Sequence, residues 1–237
     1  MISEEIGQIE IIDIKPITHD TSQFRFAIPK DRNFNFLPGD FIKVFPDPGD
    51  TLEYRPYTPT STPDMKDHFE LIIKRYGMGP TSQFMHGRKV GDEVWISGPH
   101  EGGHFVEGMA KRVGMVASGT GITPMISIIR TMLSRGMDVS ISLIFGNKTA
   151  DDIILRGEFD SYTEKYPNFK RYYTLSQAAP EGWTMGTGRI NEEMIREHLP
   201  APSDETLVFL CGPPLMQIEQ LKKLMLIGHD KKRIVIP

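Results

Sequence analysis

The spacing of apolar residues along the chain changes near residue 110. Before that point, short stretches rich in β-branched and aromatic residues lie between turn clusters such as LPGD and STPD, a pattern typical of antiparallel strands. After it, strand-like and helix-like stretches alternate, which predicts a parallel sheet with helices on both faces. The pattern therefore predicts an antiparallel β barrel over residues 1–107 and a doubly wound α/β domain over residues 108–237.

Two glycine-containing loops follow predicted strands of the α/β domain. VASGTGITPM, residues 116–125, comes after the first of these strands and opens a helix, the position at which open α/β sheets bind ligands. LCGPPLM, residues 210–216, follows a later strand in the same way, so both loops are expected at one edge of the sheet. Gly119, Gly121 and Gly212 would let backbone N–H groups approach a phosphate. A tight strand-to-helix turn is the alternative for the first loop, and a buried strand-end thiol is the alternative for Cys211.

The barrel half contains two further candidate sites. In RPYTPTS, residues 55–61, Arg55 suits a phosphate, Tyr57 offers a flat ring for an aromatic cofactor and Thr58 offers a hydroxyl. An ordinary surface arginine on a strand is the alternative interpretation. GMGPTSQFM, residues 77–85, places Ser82 at the start of a short predicted helix, which is a second candidate anion site.

Composition excludes several classes of protein. The net charge of −4 comes without a block of Lys or Arg, which argues against nucleic-acid binding. The single cysteine excludes an intramolecular disulfide and favours the cytoplasm. No apolar run approaches the length of a membrane span, so no membrane insertion is expected. HEGGH, residues 100–104, matches a zinc motif by letter, but its glycines disfavour the required helix, and no metal site is expected.

Several motifs together occur in the order and approximate spacing of one known family. They are RPYT at 55–58, GPTSQ at 79–83, GTGITPM at 119–125, YTL at 173–175, INEEMIREHLP at 190–200, CGPP at 211–214 and GHDKKR at 228–233. In these motifs the chain resembles the NADH-cytochrome b5 reductases, within the ferredoxin-NADP reductase superfamily, over nearly its whole length. The resemblance implies a six-stranded FAD-binding barrel joined to a nicotinamide-nucleotide domain, with hydride passing from nicotinamide to flavin in the cleft between them.

The resemblance also implies which residues bind each cofactor. Thr58 is expected near the reactive flavin nitrogen and Cys211 beside the nicotinamide, so these two are the candidate catalytic residues. The implied flavin contacts are Arg55, Pro56, Tyr57, Thr58, Ile72, Lys74, Gly79, Thr81, Ser82 and Thr123. The implied nicotinamide-nucleotide contacts are Gly119, Thr120, Gly121, Ser176, Cys211, Gly212 and Pro213.

The resemblance implies a one-electron acceptor, either a haem protein or an iron–sulfur protein. Two departures weaken the expectation that it is cytochrome b5. Pro80 stands where the family often carries a lysine, and the usual long basic loop before the nucleotide domain is shortened to HEGGHFVEGMAKR. The reductase component of a multicomponent oxygenase and a non-catalytic flavin-binding subunit are the alternative functions.

The residue that follows YTL bears on the choice between NADH and NADPH. NADH-selective members of the family carry an acidic residue where this chain has Ser176, because a carboxylate binds the ribose hydroxyls and repels a 2′-phosphate. Gln177 supplies no positive charge for that phosphate, and Lys148 is expected near the same sheet edge. We therefore expect the chain to accept both NADH and NADPH.

Overall fold

The computed structural model describes residues 7–28, 34–47, 49 and 53–237. The remaining residues of the predicted barrel, 1–6, 29–33, 48 and 50–52, lie outside the described residues. The first half forms a six-stranded sheet in the order β4-β3-β6-β1-β2-β5, with every neighbouring pair antiparallel. Its elements are β1 (Gly7–Thr18), β2 (Thr21–Ala27), β3 (Phe41–Phe45), β4 (Arg55–Tyr57), β5 (His68–Lys74), α1 (Pro80–His86) and β6 (Glu93–His100).

The strands of this sheet enclose an aromatic and aliphatic core. In β1 the buried residues alternate with exposed ones, so that Ile9 and Ile11 point inward, as the twofold period of a strand requires. Phe26 and Phe69, which are paired across β2 and β5, stack with their ring centroids 5.1 Å apart. The predicted antiparallel barrel is confirmed.

The second half is a six-stranded sheet in the order β10-β9-β8-β7-β11-β12, with every neighbouring pair parallel. One hydrophobic cluster lies on the side of α2 and α3, and another lies on the side of α4 and α5, so the predicted doubly wound domain is confirmed. The two-residue strand β10 was not predicted. The elements are β7 (Arg112–Ser118), α2 (Thr123–Ser134), β8 (Ser140–Asn147), α3 (Arg156–Lys165), β9 (Phe169–Leu175), β10 (Gly186–Thr187), α4 (Glu192–His198), β11 (Thr206–Cys211), α5 (Pro214–Ile227) and β12 (Ile234–Val235).

The strand order places a ligand-binding crevice at the carboxyl end of β7. The chain proceeds from β7 outward to β8 on one side and later returns to β11 on the other. At such a switch point the following loops diverge to opposite faces and leave a crevice between them. The loops at 119–122 and 211–213 lie on either side of this point.

A polar network joins the two domains. The guanidinium of Arg130 on α2 donates to both carboxylate oxygens of Glu158, at 2.7 and 2.8 Å, and to the carbonyl of Thr60 in the barrel, at 2.8 Å. Glu70 of β5 lies 3.5 Å from the same guanidinium. Arg130 is largely buried, so both domains are held together by a partly desolvated charge. Among the described residues, no helix is both long and apolar enough to cross a membrane.

Candidate active site between the two domains

A cavity of about 1460 Å³ lies between the barrel and the parallel sheet. Pockets for one ligand usually measure roughly 300–1,000 Å³, so this cavity has room for two cofactors. Every residue that the sequence analysis assigned to FAD or to the nicotinamide nucleotide lines it. The structure therefore brings all of the predicted contacts together, whereas the contacts with cofactor themselves stay predictions.

The two glycine-containing loops meet at the switch point, and glycine is required at positions 119 and 121 for different structural reasons. Gly119 has φ +54°, a left-handed conformation, and a side chain there would meet nothing within 4 Å. Gly121 is buried, and a Cβ atom on it would overlap the carbonyl group of Cys211 and the backbone nitrogen of Gly212. Gly121 is thus required for packing one loop against the other, and Gly119 is required for the turn that faces the cavity.

The RPYT strand supplies one cation and one half-buried ring. Arg55 is exposed and donates one hydrogen bond, 2.8 Å long, to the carbonyl of Tyr54. Burial raises the pKa of Tyr57 to about 12, so its phenol stays protonated at neutral pH. Thr58, directly after this strand, is 8% exposed.

The turn before α1 is fixed by its own serine. The hydroxyl of Ser82 donates to the carbonyl of Gly79, at 2.9 Å, and accepts from the backbone N–H of Tyr76, at 3.1 Å. A Cβ atom on Gly79 would lie 2.7 Å from that hydroxyl oxygen. Gly79 and Ser82 therefore shape the turn, and the Ser82 hydroxyl already has partners in it.

Thr81 provides a test of whether the site fits a polar cofactor. Its side-chain oxygen is buried and has no hydrogen-bond partner among the described residues, although the residue lines the cavity. A buried hydroxyl without a partner costs about 1–3 kcal/mol, and a ligand in the cavity would remove that cost. The arrangement fits FAD, which carries phosphate and carbonyl oxygens and ring nitrogens that need partners.

Lys74 links the two domains at the floor of the cavity. Its ammonium lies 2.8 Å from a carboxylate oxygen of Asp20 in the barrel and 3.3 Å from Asp152 in the α/β domain. Burial alone would lower the pKa of Lys74, but hydrogen bonds and charge contacts with these two aspartates outweigh burial and raise it. Lys74 is therefore charged, and it offsets the negative charge of the Asp20 and Asp152 carboxylates, beside which His19 also lies. Lys74 was predicted as a flavin contact, and its ion pairs with Asp20 and Asp152 were not predicted.

Cys211 ends β11 and is partly buried beside Gly212. Burial raises the pKa of its thiol to about 11. At neutral pH the side chain is thus an uncharged thiol, which can contact a neutral ring but is a poor nucleophile.

HEGGH lies at the domain junction and is not helical, as its two glycines predict. His100 is the last residue of β6, and residues 101–103 are not helical. Its two histidines therefore do not share a helix face.

The structure adds cavity residues that the sequence analysis missed. Tyr76 reaches across the cleft, with its hydroxyl 2.9 Å from that of Thr120. Asn147 and Arg189 line the cavity near Ser176. The only sequence signal for Arg189 is its place directly after Gly188, at a turn that leads into a helix.

Comparisons with known proteins agree with this architecture. Residues 8–106 match the family described as the oxidoreductase FAD-binding domain, and residues 115–221 match the oxidoreductase NAD-binding domain. The chain is 40% identical to NADH-cytochrome b5 reductase 1 of Dictyostelium discoideum, over 92% of this chain and 77% of that protein. It is 37% identical to NADH-cytochrome b5 reductase 3 of Rattus norvegicus, over 95% of this chain and 84% of that protein.

A solved structure supports the same relationship. The cytochrome b5 reductase domain of Ulva prolifera nitrate reductase superimposes with a TM-score of 0.89 and 27% identity, covering 100% of this chain and 99% of that domain. The relatives, the two matched domains and the interdomain cavity all support the same family assignment. The chain belongs to the NADH-cytochrome b5 reductase family of flavoprotein oxidoreductases, which use FAD and NADH.

Proposed function

We propose that the chain takes hydride from NADH or NADPH in the interdomain cavity and passes electrons singly to a haem or iron–sulfur protein. The observation that carries this proposal is the shared cavity, because residues predicted for FAD and for the nicotinamide nucleotide line it from opposite domains. FAD, when bound, supplies the chemistry that converts one hydride into two single electrons. The protein contributes binding, orientation and exclusion of water.

On the barrel side, we assign Arg55 to a phosphate of FAD and Tyr57 to its ring system. Arg55 is exposed at the cavity and most of its donors are available for a charged partner. Thr58 offers its hydroxyl to the reactive flavin nitrogen, and Thr81 offers the buried hydroxyl that lacks a protein partner. Pro56, Ile72, Lys74, Gly79, Ser82 and Thr123 complete the proposed flavin contacts.

On the other side, the nicotinamide nucleotide binds across the two loops at the switch point. Gly119 and Thr120 present backbone N–H groups, and Gly121 lets the loops approach each other. Cys211 holds the nicotinamide ring in position as a neutral thiol. Gly212, Pro213 and Ser176 complete the proposed contacts. None of these roles requires a general acid or base.

Absorption spectroscopy of the purified protein tests the proposal. We expect a yellow protein that loses its flavin absorbance under anaerobic conditions when NADH or NADPH is added. A yellow protein that neither nucleotide reduces would indicate the alternative of a non-catalytic flavin-binding subunit. A colourless protein that binds no added FAD would refute both.

The acceptor is tested by stopped-flow oxidation of the reduced protein. The relatives named above are cytochrome b5 reductases, so cytochrome b5 is one acceptor to mix with it and a small iron–sulfur protein is the other. Pro80 occupies the position where the family often has a lysine, and Pro80→Lys is the matching variant. We expect the substitution to accelerate transfer to acidic cytochrome b5 and to leave transfer to a small neutral acceptor unchanged.

We further propose a domain boundary at residues 107/108 and a cytoplasmic location. The two family matches end and begin on either side of this boundary, at 106 and 115. The single cysteine supports a reducing compartment. Limited proteolysis would test the boundary, and fractionation of the native host would test the location.

A further inference from the structure

Three chain segments meet at the end of the cavity that lies beyond the glycine-containing loops. Ser176, directly after β9, bonds through its backbone N–H to the carbonyl of Asn147, at 2.9 Å. Gln177 bonds in the same way to the carbonyl of Lys148, at 2.9 Å. The N–H of Gly188 bonds to the carbonyl of Leu175, at 2.7 Å. These bonds fix Ser176, Lys148 and Arg189 around one rim.

Both cations on this rim are available to a ligand. Lys148 and Arg189 are exposed and line the cavity. Within the described ranges, neither side chain has a hydrogen bond or an ion pair. The carboxylate of Glu219 also lines the cavity, but it forms no ion pair with Arg189. Arg135 and Arg196, by contrast, are exposed arginines that are paired with carboxylates.

The rim also contains an unsatisfied polar side chain. The Asn147 amide is 6% exposed, and its oxygen and nitrogen both lack a partner among the residues that the structure describes. Buried amides are nearly always hydrogen-bonded, to protein, water or a ligand. This end of the cavity is therefore built to receive a polar group.

We infer that Lys148 and Arg189 bind the 2′-phosphate of NADPH, with Ser176 beside them. The inference rests on the proposed function, since it places the adenosine half of the dinucleotide along the carboxyl ends of β8 and β9. A phosphate carries nearly two negative charges, and a planar guanidinium pairs with it through two donors. Ser176 puts a hydroxyl where a carboxylate would repel that phosphate. The chain therefore favours NADPH over NADH at low ionic strength.

Calorimetry with two adenosine ligands tests this inference without any turnover. Adenosine 2′,5′-bisphosphate and 5′-AMP differ only in the 2′-phosphate, and each is titrated into the FAD-loaded protein. We expect the bisphosphate to bind more tightly, and the ratio of the two affinities to fall about fivefold in Lys148→Gln and in Arg189→Gln. Because the rim is exposed, added salt should also reduce the ratio.

Lys170→Gln is the matched control, because Lys170 is an exposed cation near the opposite end of β9, and it should leave the ratio unchanged. The inference would be overturned if the wild type bound the bisphosphate no more tightly than 5′-AMP, or if the ratio of the two affinities stayed the same in both rim variants. Failure of the proposed function would look different, since NADH would then not reduce the flavin whatever the ratio. If both hold, kcat/KM for NADPH relative to NADH should fall by the same factor in each rim variant.

Discussion

Replacing Arg130 with methionine should destabilise the protein, because Arg130 forms a buried contact between the two domains. The Arg130 side chain is 16% exposed, and its partners Glu70 and Glu158 are 7% and 22% exposed. Methionine removes the bonds to Glu158 and to the Thr60 carbonyl but keeps an unbranched apolar stem. Removing one partner of a buried pair typically costs 3–5 kcal/mol, and since this pair is partly hydrated we expect about 2–4 kcal/mol of lost unfolding free energy.

Arg135→Met is the matched control, at the residue that caps the C-terminus of the same helix. Arg135 also bridges the domains, through a 2.7 Å ion pair with Asp64, but these side chains are 45% and 59% exposed. Exposed pairs contribute about 0–1 kcal/mol. Urea unfolding of the FAD-loaded protein gives the unfolding free energy of both variants. Unfolding is monitored by the release of flavin and by the fluorescence of Trp95 in the barrel and Trp183 in the α/β domain. Equal losses in the two variants would refute the argument from burial.

The pH dependence provides a second check on the Arg130 variant. Burial alone would raise the pKa of Glu158, but hydrogen bonds and charge from Arg130 outweigh burial and lower it. In the wild type, Glu158 therefore contributes stability above its unfolded pKa, and this contribution is lost as pH falls through the lower folded value. In Arg130→Met only the hydrogen bond from Tyr162 and the charge of Lys15 still oppose burial, so the pKa of Glu158 rises and its protonation relieves part of the penalty. The difference in unfolding free energy between the wild type and Arg130→Met should therefore become smaller as the pH falls from about 7 to about 4. A difference that stays constant over this range would contradict this reasoning.

Further substitutions test the cavity. Arg55→Ala should release FAD on dialysis, with a loss of about 1.5–3 kcal/mol in flavin binding; unchanged flavin affinity would show that the phosphate lies elsewhere. Cys211→Ala should retain FAD but slow flavin reduction in stopped flow, and an unchanged rate would favour a merely packed thiol. Gly121→Ala should displace the adjoining loop and weaken NADH binding with FAD retained, whereas Gly157→Ala, where a Cβ meets nothing within 4 Å, should change neither. Ser176→Asp should shift relative kcat/KM toward NADH by about five- to thirtyfold, and a wild type that already rejects NADPH a thousandfold would refute the reasoning about Ser176.

The sequence predicted the architecture because its signals are local. Strand and helix periods, turn clusters and glycines in strand-to-helix loops each depend on a few neighbouring residues. Parallel strands bring their carboxyl ends to one edge, so the pattern of strands alone predicts that the loops at Gly119 and Gly212 lie together. The resemblance to a family then extended this prediction to the barrel side, and all of those residues line the cavity.

Contacts between distant segments could not be predicted in the same way. Arg130 is 70 residues from Thr60 and 28 from Glu158, and nothing near it in sequence distinguishes it from a surface arginine. Arg189 reaches the rim only because Gly188 is bonded to the end of β9. For Gly121 the sequence indicated phosphate approach, whereas the coordinates show a glycine needed for contact between two loops. Such roles depend on packing that no local period encodes.

The high pKa of Cys211 has a consequence for the chemical durability of the protein. Oxidants and alkylating reagents attack the thiolate form of cysteine. With a pKa of about 11, only about one Cys211 side chain in ten thousand is ionised at pH 7. The residue at the carboxyl end of β11 should therefore react slowly with peroxide or iodoacetamide. A thiol can thus line the proposed cofactor cavity without itself becoming a sensor of oxidative stress.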